Sequence, residues 1–260
     1  MDADWLVPDW PAPSPVRALC TTRAGGVSAA PYDALNLGDH VGDALADVLA
    51  NRDRLAGAMA AQPVFLHQVH GRVAAHLTGL TLASVVADAS FTTQPGLACT
   101  AMVADCLPVL FTDTRGTVVA AAHAGWRGLL GLDGQGVLES IYKQIMALAQ
   151  VPPVQVATKI IAWMGPCIGP TAFEVGPEVR AAFIAQQPAA AALFARHGPD
   201  KWLADLPGLA RLRLQALGLQ DIYGNDGSPQ WCTVGNPSRF FSYRRSGVCG
   251  RMAACIWLQV

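Results

Sequence analysis

Pro108-Val109-Leu110-Phe111-Thr112-Asp113 and Thr117-Val118-Val119-Ala120-Ala121-Ala122-His123 are two apolar runs on either side of Thr114-Arg115-Gly116. Runs of this length bounded by turn residues read as a β-hairpin. If Asp113 pairs with Gly116 around a two-residue loop, antiparallel register sets Cys106 opposite His123. Directly opposed residues have Cβ atoms about 4.5–5.5 Å apart, close enough for two ligands of one ion. A one-residue slip turns the pair to opposite faces, and a three-residue loop with a left-handed Gly116 is the other way to close the turn. If Pro108 starts the strand, Cys106 escapes that parity.

Working outward, residues 16–22 read as a short strand after a Pro-stiffened lead-in over 1–15. Residues 23–28 and 36–40 read as loops, and 44–60 carry helical periodicity. Residues 63–70 read as a strand that breaks at Gly71, with short apolar segments at 73–77 and 85–91. Beyond Trp126 three glycines lead into a helix over 136–149. Ile160–Met164 reads as a buried strand, 177–218 as two or three helices broken by Pro188, Pro199 and Pro207, and 251–258 as a closing strand. No βαβ rhythm, repeat or linker appears. The expectation is therefore one α/β domain over 1–260, a layered sandwich around a mixed β-sheet with flanking helices.

Composition narrows the function classes. The chain has 260 residues, 52% hydrophobic and 14% charged, with formal net charge −1. Such a balance offers no electrostatic basis for binding nucleic acid or an anionic membrane. The start lacks the basic and apolar parts of a signal peptide, and no run approaches the roughly 20 apolar residues of a membrane span. The seven cysteines form an odd set without CxxC, which reads as reduced thiols in a cytoplasmic protein rather than a disulfide framework.

Three residues stand where elements end: His70 before Gly71, Cys106 before Leu107-Pro108, and His123 before Ala124-Gly125-Trp126. Two imidazoles and a thiolate suit Zn²⁺, and three protein ligands leave a position for a water whose pKa the ion lowers. The same donors tolerate Cu²⁺. Taken alone, a buried Cys is more often a core residue and a strand-end His more often serves a carbonyl. His67 is the reserve ligand, while His40, His76 and His197 read as ordinary. A metal-free alternative makes Cys106 the nucleophile of a hydrolase and His123 its base, with Asp88 or Asp105 orienting the imidazole.

The motifs His-Gln-Val-His-Gly (67–71), Ala-Asp-Cys-Leu-Pro (104–108), His-Ala-Gly-Trp-Arg-Gly (123–128) and Gly-Pro-Cys-Ile-Gly-Pro (165–170) followed by Phe-Glu-Val-Gly (173–176) come in this order. With Thr22–Ser28, Asn36-Leu37-Gly38 and Phe241–Arg245, they make the chain resemble the laccase-domain family of purine nucleoside phosphorylases, also known as multicopper polyphenol oxidases or peptidoglycan editing factors. The resemblance spans nearly the whole chain. It implies an α/β sandwich like that of a bacterial toxin catalytic domain with a Cys–His centre. It also implies zinc at His70, Cys106 and His123, phosphorolysis of adenosine, inosine or methylthioadenosine, and adenosine deamination through a metal-activated water. Other family members imply an amidase acting on a peptidoglycan precursor. The laccase label fits poorly, because a multicopper oxidase needs more histidines than the 6 present. Ser246 and Cys249 depart from the usual pattern, where an acid and a Thr are common.

Deamination needs a proton carrier, for which Asp88 is the first candidate and Glu174 the second. Phosphorolysis needs a cationic pocket, for which Arg23, Arg244 and Arg245 are candidates. Asn36 could hold a nucleoside hydroxyl or its own turn, and Trp126 could stack a purine or simply pack. Gly125 and Gly128 read as permitting close backbone approach. The expected partners are a purine nucleoside and phosphate; the sequence leaves the oligomeric state open.

Overall fold

The computed structural model describes residues 4–79, 85–149 and 160–260. Its elements run β1 (Val16–Cys20), α1 (Leu45–Met59), β2 (Gln62–Val64), β3 (Ala74–His76), β4 (Ala89–Thr92), β5 (Leu97–Val103), β6 (Leu107–Asp113) and β7 (Val119–Ala124). There follow α2 (Trp126–Leu130), α3 (Val137–Ala149), β8 (Ile160–Met164), β9 (Glu174–Val175), α4 (Pro177–Gln186), β10 (Phe194–Arg196) and β11 (Trp202–Ala204). The chain closes with α5 (Leu206–Ala216), β12 (Ile222–Gly224), α6 (Tyr243–Ser246) and β13 (Met252–Leu258).

Two mixed sheets lie face to face. One has the order β1-β13-β5-β2 and the other β12-β8-β6-β7-β4-β3, and a small antiparallel sheet β10-β11-β9 stands beside them. The pleat sorts the side chains into layers. Leu110, Val119, Ala121 and Trp163 meet Cys99, Ala101, Ala254 and Ile256 between the large sheets. Their alternates Val109, Phe111, Ala120, Ala122 and Ala162 pack on Leu138 and Ile141 of α3, Phe183 of α4 and Leu209 of α5. On the far side Leu19, Ala253 and Cys255 pack on Leu55 and Met59 of α1. Strands covered on both faces explain why β6 and β7 are apolar throughout rather than alternating. The layered α/β class read from the sequence holds, with two principal sheets in place of one.

Several local expectations change. The hairpin register pairs Pro108 with His123 and Leu107 with Ala124, two residues away from the expected pairing of Cys106 with His123. The reason is the turn. Asp113 accepts hydrogen bonds from the Thr117 amide (2.7 Å) and hydroxyl (2.8 Å), so residues 114–117 all belong to the loop. Gly116 is left-handed at φ 68°. A shift of two conserves the face, so position 123 keeps the side of 119 and 121, at the end of the space between the sheets.

The expected strand 63–70 is only Gln62–Val64. Beyond it the Gln68 side chain, in place of the main chain, binds both backbone groups of Met102 in β5, at 2.8 and 2.7 Å. The stretch 177–218 holds the β10–β11 hairpin between α4 and α5. Pro207 starts α5 instead of breaking a helix, behind the Asp205 cap that accepts from the Gly208 amide at 2.9 Å. Trp126–Leu130, ahead of the expected helix, forms a short helix of its own.

Candidate metal centre

His123 is the penultimate residue of β7, at the mouth between the sheets, and is 3% exposed. A buried imidazole needs partners, and Asp88, just ahead of β4, provides one: Nδ1 of His123 lies 2.9 Å from Asp88 Oδ1. An ionised carboxylate only accepts, so Nδ1 carries a proton toward Asp88, and Nε2 is the nitrogen left to face Cys106 or, once deprotonated, an ion. The same carboxylate takes the backbone N–H groups of Val69 (3.2 Å), His70 (2.8 Å) and Gly71 (2.6 Å). One buried anion thus shapes the loop that carries His70 and orients His123 at the same time. Burial alone would raise the Asp88 carboxyl, but His123 and the amides hold it below the usual carboxylate range.

Cys106 is set by its neighbour. Asp105 accepts from Thr233 Oγ1 and from the Arg244 amide, both at 2.6 Å, and its carbonyl accepts from the Ile168 amide at 2.9 Å. His70 and Asp105 both have positive φ, 57° and 93°. Non-glycine residues hold such conformations only where surrounding bonds impose them, commonly at functional sites. Cys106 Sγ lies 3.7 Å from His70 Nε2, and the ligand atoms of His70, Cys106 and His123 all lie within 4.8 Å of one another. Zn–N bonds of about 2.0 Å and a Zn–S bond of about 2.3 Å put tetrahedral ligands roughly 3.3–3.6 Å apart. The three side chains stand near that spacing and could bind a metal ion. Among the described residues no other group of three such side chains converges in this way.

Charge agrees with the donor set. Burial would raise the Cys106 thiol, yet His123 and His70 beside it lower it to about 6. Burial would lower His123, yet the Cys106 sulfur and Asp88 raise it to about 9. In the protein without metal these two form a thiolate–imidazolium pair, and the thiolate is the form a metal takes.

Gly125 is part of the construction. A Cβ there would lie 2.9 Å from both Cys106 Sγ and His70 Cδ2, and one at Gly128 would lie 2.6 Å from the Gly71 carbonyl oxygen. Gly125→Ala is therefore expected to spread the ligands and weaken zinc affinity about tenfold or more, by analogy with the cost of disturbing ligand support. Competition with a chromophoric chelator measures it; unchanged affinity would show that the ligands need no such closeness.

The three side chains open onto a cavity of about 490 Å³, within the usual range for small-molecule sites. Met102, Trp126, Ile168, Phe173, Leu206 and Tyr243 form its apolar wall, and His40, Gln68, Arg244 and Arg251 its polar one. Several residues expected at the site are elsewhere. Asp88 is 1% exposed and does not line the cavity; it orients His123 and reaches the cavity only through that imidazole. Arg23 is tied to Asp33 (2.9 Å) and to the Pro237 carbonyl (2.9 Å). Asn36 is fully buried and folds its own loop, accepting from the amides of Gly38 and Arg251. Arg245 spends its guanidinium on the carbonyls of Thr233 and Phe240. Glu174 faces His197 and Lys201 rather than the cavity.

Of the expected substrate residues Arg244 lines the cavity. Trp126 also lines it, with the Arg127 guanidinium over its ring at 4.4 Å. His40, Gln68, Tyr243 and Arg251 were not singled out by sequence. Gln68 was legible, since it lies between two histidines in the 67–71 motif, whereas His40 and Arg251 reach the cavity only through the fold.

A family model described as multi-copper polyphenol oxidoreductase laccase matches residues 17–259. The chain belongs to this family. Within it, the chain is 51% identical over 255 residues to a protein of Escherichia coli named purine nucleoside phosphorylase YfiH, covering 97% of this chain and 98% of that one. It is 47% identical to a Pseudomonas aeruginosa protein also named a purine nucleoside phosphorylase, covering 98% of each. Among solved structures, a Neisseria meningitidis protein aligns with a TM-score of 0.88 at 45% identity, over 99% of this chain and 100% of that one. YlmD from Geobacillus stearothermophilus aligns with a TM-score of 0.88 at 31% identity, over 100% and 98%. Among the described residues of this laccase-family chain, no helix is long and apolar enough to cross a membrane.

Proposed function

We propose that this laccase-family chain is a zinc-dependent purine nucleoside phosphorylase. The observation that carries the reading is the cavity: His70, Cys106 and His123 at its base, an apolar wall including Phe173 and Tyr243, and Arg244 at its side. The names of its relatives point the same way. His70, Cys106 and His123 would hold the ion, which, when bound with three protein ligands, supplies Lewis acidity at a fourth position open to solvent or substrate. Zn²⁺ is preferred to Cu²⁺ as a redox-inert ion suited to two imidazoles and one thiolate.

The chain's own residues supply the rest. Phe173, Tyr243 and Trp126 offer flat apolar surface to a purine. Arg244 offers a guanidinium to phosphate. In phosphorolysis an oxygen of hydrogen phosphate forms a bond to ribose C1′ while the glycosidic C–N bond breaks; the electron pair of that bond leaves with the purine, which takes up the proton that the phosphate gives up. Holding phosphate, sugar and base in line is work that a rigid cavity performs by position.

Deamination would require a free acid beside the base. Among the described residues Asp105 is the one carboxylate lining the cavity, and both its oxygens are engaged. Phosphorolysis is therefore the favoured reaction. A polyphenol oxidase is disfavoured by the supply of six histidines.

Zinc-loaded protein given adenosine and inorganic phosphate is expected to yield adenine and ribose 1-phosphate, with little inosine. Liquid chromatography resolves these products. No turnover of adenosine, inosine or methylthioadenosine by protein carrying one zinc per chain would overturn the reading. Release of serine from a UDP-linked muramoyl-serine in the same assay would replace it with the amidase.

A further inference from the structure

Arg251 is placed with unusual care for an arginine beside a cavity. Its N–H donates to Asn36 Oδ1 at 2.9 Å, and its carbonyl accepts from the Leu37 amide at 3.1 Å. Its stem runs over Gly38, where a Cβ would lie 2.8 Å from Arg251 Cγ. Nη1 donates to the carbonyls of Cys249 (3.0 Å) and Gly250 (3.1 Å). Nε and Nη2 have no hydrogen-bond acceptor among the described residues, and the guanidinium lies over the Tyr243 ring, 5.9 Å from its centre.

Arg244 repeats the pattern on the same cavity. Its Nη2 donates to the Glu174 carbonyl at 3.1 Å, while Nε and Nη1 have no hydrogen-bond acceptor among the described residues and the guanidinium lies over the Phe173 ring, 5.6 Å from its centre. Arg23, Arg52, Arg115 and Arg213 each have a carboxylate within 4 Å, but neither Arg244 nor Arg251 does. His40 lines the same wall, 3.5 Å from the Asp39 carboxylate. Asp105, the remaining acid of the cavity, is spent on Thr233 and on the Arg244 amide. Two forked cations held by backbone, facing one concave space and lacking a counter-charge, fit a tetrahedral oxyanion better than any neutral ligand.

We propose that Arg251, with Arg244 and His40, forms a phosphoryl-oxyanion subsite in the cavity of the His70–Cys106–His123 centre. Its place in catalysis rests on the phosphorolysis reading; its ability to bind does not. The oxyanion is either inorganic phosphate or the phosphoryl group of a larger substrate.

The test is calorimetric titration of the zinc-loaded protein with inorganic phosphate. Arg251→Gln and Arg244→Gln are each expected to weaken binding at least about tenfold, a usual size for a charge-assisted contact. Arg251→Lys is expected to fall between, because it keeps the charge and loses the fork. The exposed Arg196→Gln serves as a charge control and is expected to match wild type. Thermal melting checks that each variant is folded, and the Arg244 variant decides if Arg251→Gln is not. Displacement of phosphate by uridine diphosphate at lower concentration identifies a larger phosphoryl substrate, and lack of displacement identifies free phosphate. In turnover, the phosphate KM is expected to rise about tenfold while the nucleoside KM stays within about twofold, as for loss of a contact to one substrate. Wild-type phosphate affinity in folded Arg251→Gln and Arg244→Gln would overturn the subsite. If the binding pattern holds but no nucleoside is turned over, the subsite stands and the phosphorolysis reading falls.

Discussion

His123→Ala is expected to leave a folded protein that retains almost no zinc and less than about 1% of wild-type turnover, since the ion loses one of three protein ligands and with it a fixed geometry. Three features make this the largest effect on activity. His123 is 3% exposed, so no outside side chain takes its place. Its Nε2 is left free for an ion by the bond from Nδ1 to Asp88. Its charge also helps keep Cys106 a thiolate, so the variant damages a second ligand. Metal analysis after gel filtration, with steady-state assays on the same sample, measures both quantities. Full zinc content with no turnover would assign His123 a chemical role apart from ligation. Undiminished turnover would remove the centre from the reaction.

Asp88→Asn is expected to have the largest effect on stability together with a loss of metal affinity. Four donors converge on this carboxylate: the amides of Val69, His70 and Gly71, and His123 Nδ1. An asparagine has one acceptor oxygen, and its amide nitrogen would face donors. Each buried donor left unsatisfied costs about 1–3 kcal/mol, and breaking a buried charged pair about 3–5 kcal/mol. A loss near 4 kcal/mol lowers Tm by roughly 10 °C in a chain of this length. Support of this kind also sets ligand orientation, and its removal typically weakens metal binding about 10–100-fold. Differential scanning fluorimetry and chelator competition read the two effects separately. A lower Tm with wild-type zinc affinity in the folded protein would reduce Asp88 to a structural residue.

The folding pattern was legible where the chain is apolar without interruption. β6, β7 and β8 read correctly because strands covered on both faces carry no ambiguity of side. Register was harder. It depended on how Asp113 binds Thr117, a side-chain bond that no periodicity reveals. The β10–β11 hairpin was hidden in an Ala- and Leu-rich stretch whose composition favours helix. The three proposed ligands were visible because each stands at an element boundary within a short motif. The cationic wall was not. Arg23, Asn36 and Arg245 lie in motifs as conspicuous as those of the ligands, yet their polar atoms build loops around the cavity. Arg251 and His40 lie 211 residues apart in sequence and line one wall only after β13 pairs between β1 and β5. Asp88 shows the same limit, since a carboxylate in a promising position reads as an acid until its four donors are seen.

Zinc K-edge X-ray absorption of the protein as purified tests the metal centre most directly. One sulfur at about 2.3 Å and two imidazole nitrogens at about 2.0–2.1 Å, with a light fourth ligand, is the expected first shell. The sulfur scatterer should vanish in Cys106→Ala. A shell of oxygen and nitrogen alone in the unaltered protein, or a sulfur that persists without Cys106, would contradict the centre described here.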